Sequence, residues 1–282
     1  MATREDVKKA VAIIAEPLVD NGWEPWRATH IEKEAYSLLF TKPRKKATLG
    51  SAVCAIAAAQ NRAARIKWKH APLVIVFPFE KYRLNVTIPA KSARGKHTIK
   101  IGNTELRSYA RADRKIARAI RPVVQGALAH MAGTSVQETL AAVAWYKAVR
   151  PECMARNVEL TVPTPYPDTI RFRTRMFRDF GVTIGEFDGI SVINGRIRVM
   201  EAKAANGGPR RWTYIIRHKL MSYSGAVPRL GRNIKADFVI TSNNEILARE
   251  FARRTEDMTR NVPFVGHTLA AWVAKGVRWE WT

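Results

Sequence analysis

Acid is in short supply in this chain: 24 Asp and Glu stand against 48 Lys and Arg in 282 residues, giving a formal net charge of +24 and a pI near 10.6. That imbalance favours a polyanionic ligand, nucleic acid or an anionic surface, with long-range steering of its approach. Long apolar runs are also missing. No stretch reaches the ~18 residues a membrane-spanning helix needs, so no transmembrane helix and no membrane partner is expected. Met1-Ala-Thr-Arg-Glu-Asp6 lacks the pattern of a secretory signal. There are two cysteines, Cys54 and Cys153, far apart and without metal-site spacing. They exclude a cysteine-built zinc site and a disulfide-rich scaffold; both are expected to be reduced and packed, in an intracellular protein of the cytoplasm or nucleoid. The six histidines, at 30, 70, 97, 130, 218 and 267, form no zinc signature. No phosphate-binding glycine loop and no internal repeat is found, which excludes a nucleotide-driven motor and a solenoid.

The most informative stretch runs from Gly185 to Lys203. Two segments rich in β-branched residues flank Asn194-Gly195, a strong hairpin signal because both loop positions of a type I′ turn need positive φ. With those two residues as the loop, Asp188 falls opposite Glu201 and Glu186 opposite Lys203. Side chains two apart share a strand face. Glu186, Asp188, Glu201 and Lys203 are therefore expected on one face, which turns apolar toward the loop at Ile190, Val192, Ile197 and Val199. Two opposed carboxylates repel unless a cation lies between them. Three acids and a lysine at one end of a ribbon suggest a divalent metal beside a positioned ammonium. An ordinary hairpin carrying a Glu186–Lys203 ion pair is the competing reading.

Further elements follow. Pro209 to about Tyr223 reads as a helix, with Pro209 suited to its first turn. Ala236–Thr241 reads as a short buried strand. Ser242-Asn-Asn-Glu245 is a capping box opening a helix to about Met258. The motif D-x12-E-x-K on a hairpin, followed by helix, strand and helix, resembles the PD-(D/E)xK nuclease superfamily with its restriction-endonuclease-like fold, over residues 135–258. The resemblance implies that Asp188 and Glu201 hold Mg²⁺ or Mn²⁺ and that Lys203 orients or activates the attacking water, with Glu186 completing the metal shell or holding the lysine. It implies a metal-dependent endonuclease hydrolysing phosphodiester bonds, with DNA favoured over RNA. The alternative is a non-catalytic nucleic-acid-binding protein that keeps the fold. Phe187 stands where the motif has proline. Pro167-Asp168 is a literal Pro-Asp, but it lies too far from Glu201 for one tight hairpin. Glu138 is a candidate for a further acid on the first core helix, although Ser135-Val-Gln-Glu138 is itself a capping box.

The expected architecture is α/β. Residues 1–133 form a basic α/β nucleic-acid-binding region with 25 basic and 10 acidic residues. Residues 134–282 form the nuclease-like core, a mixed sheet flanked by helices. In the first part, helices are expected over 4–19, 49–66 and 108–120, and strands over 35–40, 73–77, 82–88 and 97–101. Arg107, Arg111, Arg114, Arg118 and Arg121 follow helical spacing and form one basic stripe, assigned to phosphate contact. Like charges at i,i+4 are destabilising, so such a stripe is an unusual choice for a purely solvated face. Lys42–Lys46 and Lys91–His97 are basic loop clusters. Trp68, among basic residues, is expected to anchor a helix end. After the proline-rich 161–168 connector, Thr169–Phe177 reads either as a helix gathering Ile170, Phe177 and Phe180 or, by its period-two alternation, as the preferred strand with Arg171, Arg173 and Arg175 on one face. These three, with Arg210 and Arg211, complete the expected nucleic-acid contacts. Val277–Trp281 is read as an extra strand.

Overall fold

The computed structural model describes residues 4–31, 35–41, 48–66, 68, 73–88, 97–101, 104–107, 136–162, 182–204, 209–231, 234–241, 245–261, 269–273 and 277–281. The helices are α1 (Arg4–Asp20), α2 (Leu49–Arg65), α3 (Val136–Val149), α4 (Pro209–Leu230) and α5 (Glu245–Asn261). The strands are β1 (Pro25–Ile31), β2 (Ala35–Phe40), β3 (Leu73–Phe79), β4 (Tyr82–Ile88), β5 (His97–Ile101), β6 (Thr104–Arg107), β7 (Cys153–Val162), β8 (Val182–Ile193), β9 (Arg196–Ala204), β10 (Lys235–Thr241), β11 (Leu269–Val273) and β12 (Val277–Trp281). Nine of them form one mixed sheet in the order β1-β2-β3-β4-β7-β8-β9-β10-β11, and β12-β5-β6 form a second. The fold is α/β, with helices on both faces of the large sheet.

Helices α1, α2, α4 and α5 contribute to the main core through Ile14, Leu18, Ala52, Ile56, Ile216, Leu220, Tyr223 and Phe251, over Ile190, Val192, Val199 and Phe238. On the other face α3 packs Ala141, Ala142 and Trp145 over Met200, Ala202 and Val239. Alternation along β9 and β10 assigns neighbours to opposite faces, as the pleat requires. A buried polar tie fastens α3. Trp145 Nε1 donates to Asp237 Oδ2 at 3.1 Å, and Arg198 Nη2 to Asp237 Oδ1 at 2.8 Å. None of the described helices is long and apolar enough to cross a membrane.

The division at residue 133 does not separate two sheets. Strand β4 pairs with β7, α2 shares a core with β7 and β8, and β12 returns to pair with β5. A charge count along the chain is blind to strand pairing across it. The cysteine expectation is also corrected: Cys54 of α2 and Cys153 of β7 form a disulfide, their Cα atoms 5.3 Å apart across a sequence separation of 99. Packing of α2 over β7 overrides distance along the chain, and the compartment inference drawn from reduced thiols loses its footing. Arg107 is corrected too. It ends strand β6 opposite Thr98 rather than opening a helix. Arg111, Arg114, Arg118 and Arg121 lie outside the described residues, as do Arg171, Arg173 and Arg175, the 42–46 cluster and most of 91–97. Trp68 is buried in the main core as expected, its amide donating to Ala63 O at 3.1 Å.

Candidate active site

The β8–β9 turn forms as its two residues require. Asn194 and Gly195 have φ of 50° and 70°, and the pairs Ile193–Arg196, Val192–Ile197, Ser191–Arg198, Ile190–Val199 and Gly189–Met200 hold the expected register. The ladder ends there. Asp188 does not pair with Glu201, nor Glu186 with Lys203, as extrapolation from the turn requires. Beyond Gly189, β8 stays with β7, Phe187 against Val158 and Glu186 against Glu159. Beyond Met200, β9 stays with β10, Glu201 against Phe238 and Lys203 against Ile240. The two strands part, and the motif residues line the fork.

A slip in alternation accompanies the fork. Phe187 packs its ring 5.4 Å from Tyr223 of α4, and Ile190 and Val192, three and five positions on, lie in the same core. Strict alternation would put Phe187 on the opposite face. Strand β7 slips in step: Ala155 and Val158 share that core, and between them Asn157 sits at a φ of 49°. A non-glycine residue in the left-handed region marks a local irregularity. Gln60 of α2 bridges it, donating Nε2 to Arg156 O at 2.6 Å and accepting Arg156 N on Oε1 at 2.9 Å. The buried Arg156 Nε then donates to Asp188 O at 2.5 Å. The regular alternation that would put Glu186, Asp188, Glu201 and Lys203 on one face is therefore interrupted between Phe187 and Ile190.

At the fork Asp188, only 7% exposed, accepts the Ala202 amide on Oδ2 at 2.7 Å, so its side chain spans to β9 where backbone pairing has stopped. Glu201 is fully buried. Its Oε2 accepts the Tyr223 hydroxyl at 2.8 Å, and its Oε1 is ion-paired with Lys203 and with Lys219 of α4, the latter at 3.1 Å. Lys219 also reaches Glu186 Oε2 at 3.9 Å. Burial pushes the Tyr223 phenol well above its usual range, and the charges of Glu201, Asp188 and Glu186 raise it further. Those three acids thus act on one buried hydroxyl. Burial likewise raises the Glu159 carboxyl, helped by the charge of Glu186 opposite and partly offset by a hydrogen bond from Thr183.

Lys203 and Lys219 are ion-paired with Glu201, and Arg156 is bonded to the backbone carbonyl of Asp188. Among the described residues no three His, Cys, Asp or Glu side chains gather into a metal-holding group. Asp188 and Glu201 are two hard oxygen donors, the number of carboxylates Mg²⁺ commonly takes when waters and a substrate phosphate fill its other positions. The donor set therefore fits the divalent ion implied by the resemblance. No site role was expected for Lys219, Tyr223, Arg156 or Gln60. Lys219 and Tyr223 carried one usable signal, their i,i+4 spacing on the helix after the motif. Glu138 lies in the first turn of α3, its side chain outside the described residues. Arg210 is exposed at the start of α4. Comparison with protein-family models, with curated proteins and with solved structures gave no match to this chain.

Proposed function

We propose that the chain is a divalent-metal-dependent endonuclease of the PD-(D/E)xK type, hydrolysing phosphodiester bonds of nucleic acid at the β8–β9 fork, with DNA favoured over RNA. The observation that carries this reading is the meeting of Asp188, Glu201 and Lys203 where two strands part. Asp188 and Glu201 would hold Mg²⁺ or Mn²⁺, which when bound polarises a phosphoryl oxygen and lowers the pKa of water. Lys203 presents an ammonium where negative charge develops on the reacting phosphate, and such a positioned charge favours the transition state over the ground state. Tyr223, protonated through the working pH range, holds Glu201 by donating to Oε2 and leaves Oε1 to the lysines and the ion. Arg156 fixes the backbone at Asp188. The net charge of +24 draws the polyanion in.

The ion pairs of the buried Glu201 with Lys203 and Lys219 favour a second reading, a structural network in a non-catalytic nucleic-acid-binding protein. One experiment separates them. Labelled duplex, single-stranded and branched DNA and single-stranded RNA are incubated with the protein in Mg²⁺, Mn²⁺ or EDTA. Cleavage that needs the metal and is lost in Lys203→Ala supports the nuclease. Binding without cleavage of any substrate in either metal supports the binder.

A further inference from the structure

Helix α4 has no aspartate or glutamate in its 22 residues, yet it carries Arg210, Arg211, Arg217, Lys219 and Arg229. The neighbouring α5 treats its arginines differently. Arg249 pairs with Glu245, Arg253 with Glu250 and Asp257, and Arg254 with Glu250, all within the helix. Arg210 and Arg217 have no such pair among the described residues. At about 100° per residue, Arg210, Tyr214, Arg217, His218 and Met221 fall in one stripe, opposite the buried Trp212, Ile216, Leu220 and Tyr223. All five stripe residues are exposed, Tyr214 by 72% and Met221 by 66%. The Tyr214 and His218 rings stack on each other with centroids 6.2 Å apart and planes 29° from parallel. A lone exposed tyrosine is ordinary. This one lies between two guanidinium groups with no intrahelical counter-charge, about one turn away on either side.

We propose that the outward face of α4 binds an unpaired nucleic-acid strand, with a base stacked on the Tyr214–His218 platform and phosphates on Arg210 and Arg217. Positive charge without intrahelical acids selects a polyanion. The flat aromatic surface selects among polyanions: an acidic protein segment would answer the arginines and leave the rings unused, and a duplex keeps its base faces covered. A single strand offers both phosphates and open base faces, and stacking on a protein ring tolerates any base. The inference rests on the nucleic-acid reading of the protein but not on cleavage at the fork, since the stripe faces away from Glu201.

The test is fluorescence anisotropy in EDTA, where metal-dependent cleavage is silent, with the full chain and labelled single-stranded DNA, single-stranded RNA and blunt duplex DNA. Tyr214→Ala is expected to weaken single-strand binding about tenfold and to leave duplex binding nearly unchanged. Tyr214→Trp is expected to keep parent affinity, with its indole emission quenched on binding the single strand. Arg217→Ala should flatten the dependence of log affinity on log salt by about 0.7 for the single strand. The DNA and RNA arms distinguish which sugar the platform accepts. Equal single-strand affinity in Tyr214→Ala and the parent overturns the proposal. So does an equal loss on duplex, or displacement of the oligonucleotide from the parent but not from Tyr214→Ala by polyglutamate. Because these readouts need no turnover, their failure leaves the Lys203 cleavage test standing, and failure of that test leaves these standing.

Discussion

The Tyr223 hydroxyl donates to Glu201 Oε2 at 2.8 Å, and both groups are completely buried. Tyr223→Phe keeps the ring between Phe187 and Phe238, 5.4 and 5.8 Å away, and removes one donor from a buried carboxylate. The expected cost is about 1.5–3 kcal/mol, the range for hydrogen bonds to charged groups, read from urea midpoints. The phenol's folded pKa is raised, so its contribution is complete below the unfolded value near pH 10 and is lost as pH rises through the folded value. The parent–variant gap should therefore narrow above about pH 10. A gap that widens with alkali would contradict the assignment of the proton to Tyr223.

Asp188→Asn should keep the fold, because the amide oxygen still accepts the Ala202 N–H, while weakening any hold on a divalent ion. Mn²⁺ at about a hundred times its dissociation constant should stabilise the parent by about 2.7 kcal/mol and the variant far less. Thermal melts with and without Mn²⁺ measure this. Equal shifts in both proteins would place the ion elsewhere.

Lys203→Ala should lower turnover by a factor of about 10² or more while substrate affinity stays near the parent's. One ammonium among 48 basic residues contributes little to overall attraction. Lys203→Arg should not rescue fully, since a planar fork replaces a compact point charge poorly. Single-turnover cleavage beside binding in EDTA checks both, and full activity in folded Lys203→Ala would end the catalytic reading.

Glu159 and Glu186 face each other across β7 and β8, and the Glu159 carboxyl is raised by burial and by that neighbour. A raised carboxyl makes the folded state bind more protons than the unfolded one, so stability falls as pH rises through the folded value. Glu159→Gln should be more stable than the parent at neutral pH, and that advantage should shrink below about pH 4. Melts at the two pH values decide it; an advantage independent of pH would point to packing instead.

Reducing the Cys54–Cys153 bridge, or replacing both residues by serine, should cost about 2–4 kcal/mol, as expected for closing a long loop. Identical denaturation midpoints with and without reductant would show that the bridge adds nothing to the folded protein.

How much of this was legible beforehand depended on how local the signal was. Asn194-Gly195 set the turn and five ladder pairs, and capping and periodicity located β10, α5 and the start of α4 to within a few residues, while α4 runs past its expected end near Tyr223 to Leu230. Strand β7 escaped notice because Arg156–Asn157 breaks its alternation. A period of two is readable only while the pleat is regular. That irregularity also spoiled the extrapolation from the turn to Asp188 and Glu201, which meet at a fork rather than across a ladder. Lys219 and Tyr223 looked like ordinary helix residues. Only the packing of α4 onto β8 brings them to Glu201, and no spacing within α4 reports on a partner strand. The disulfide escaped for the same reason.

Gly185 gives that packing its azimuth. A Cβ there would lie 2.3 Å from the Cβ of Ala226, so the backbone of β8 and a small residue of α4 fill one another's space. A helix seated in such a notch cannot roll about its axis without driving a bulkier side chain into the strand. Rolling by a single residue, about 100°, would carry Lys219 and Tyr223 away from Glu201 and turn the Tyr214 stripe toward the sheet. The missing side chain at position 185 thus works as a detent for α4, and the orientation of everything the helix presents, inward or outward, is referred to it.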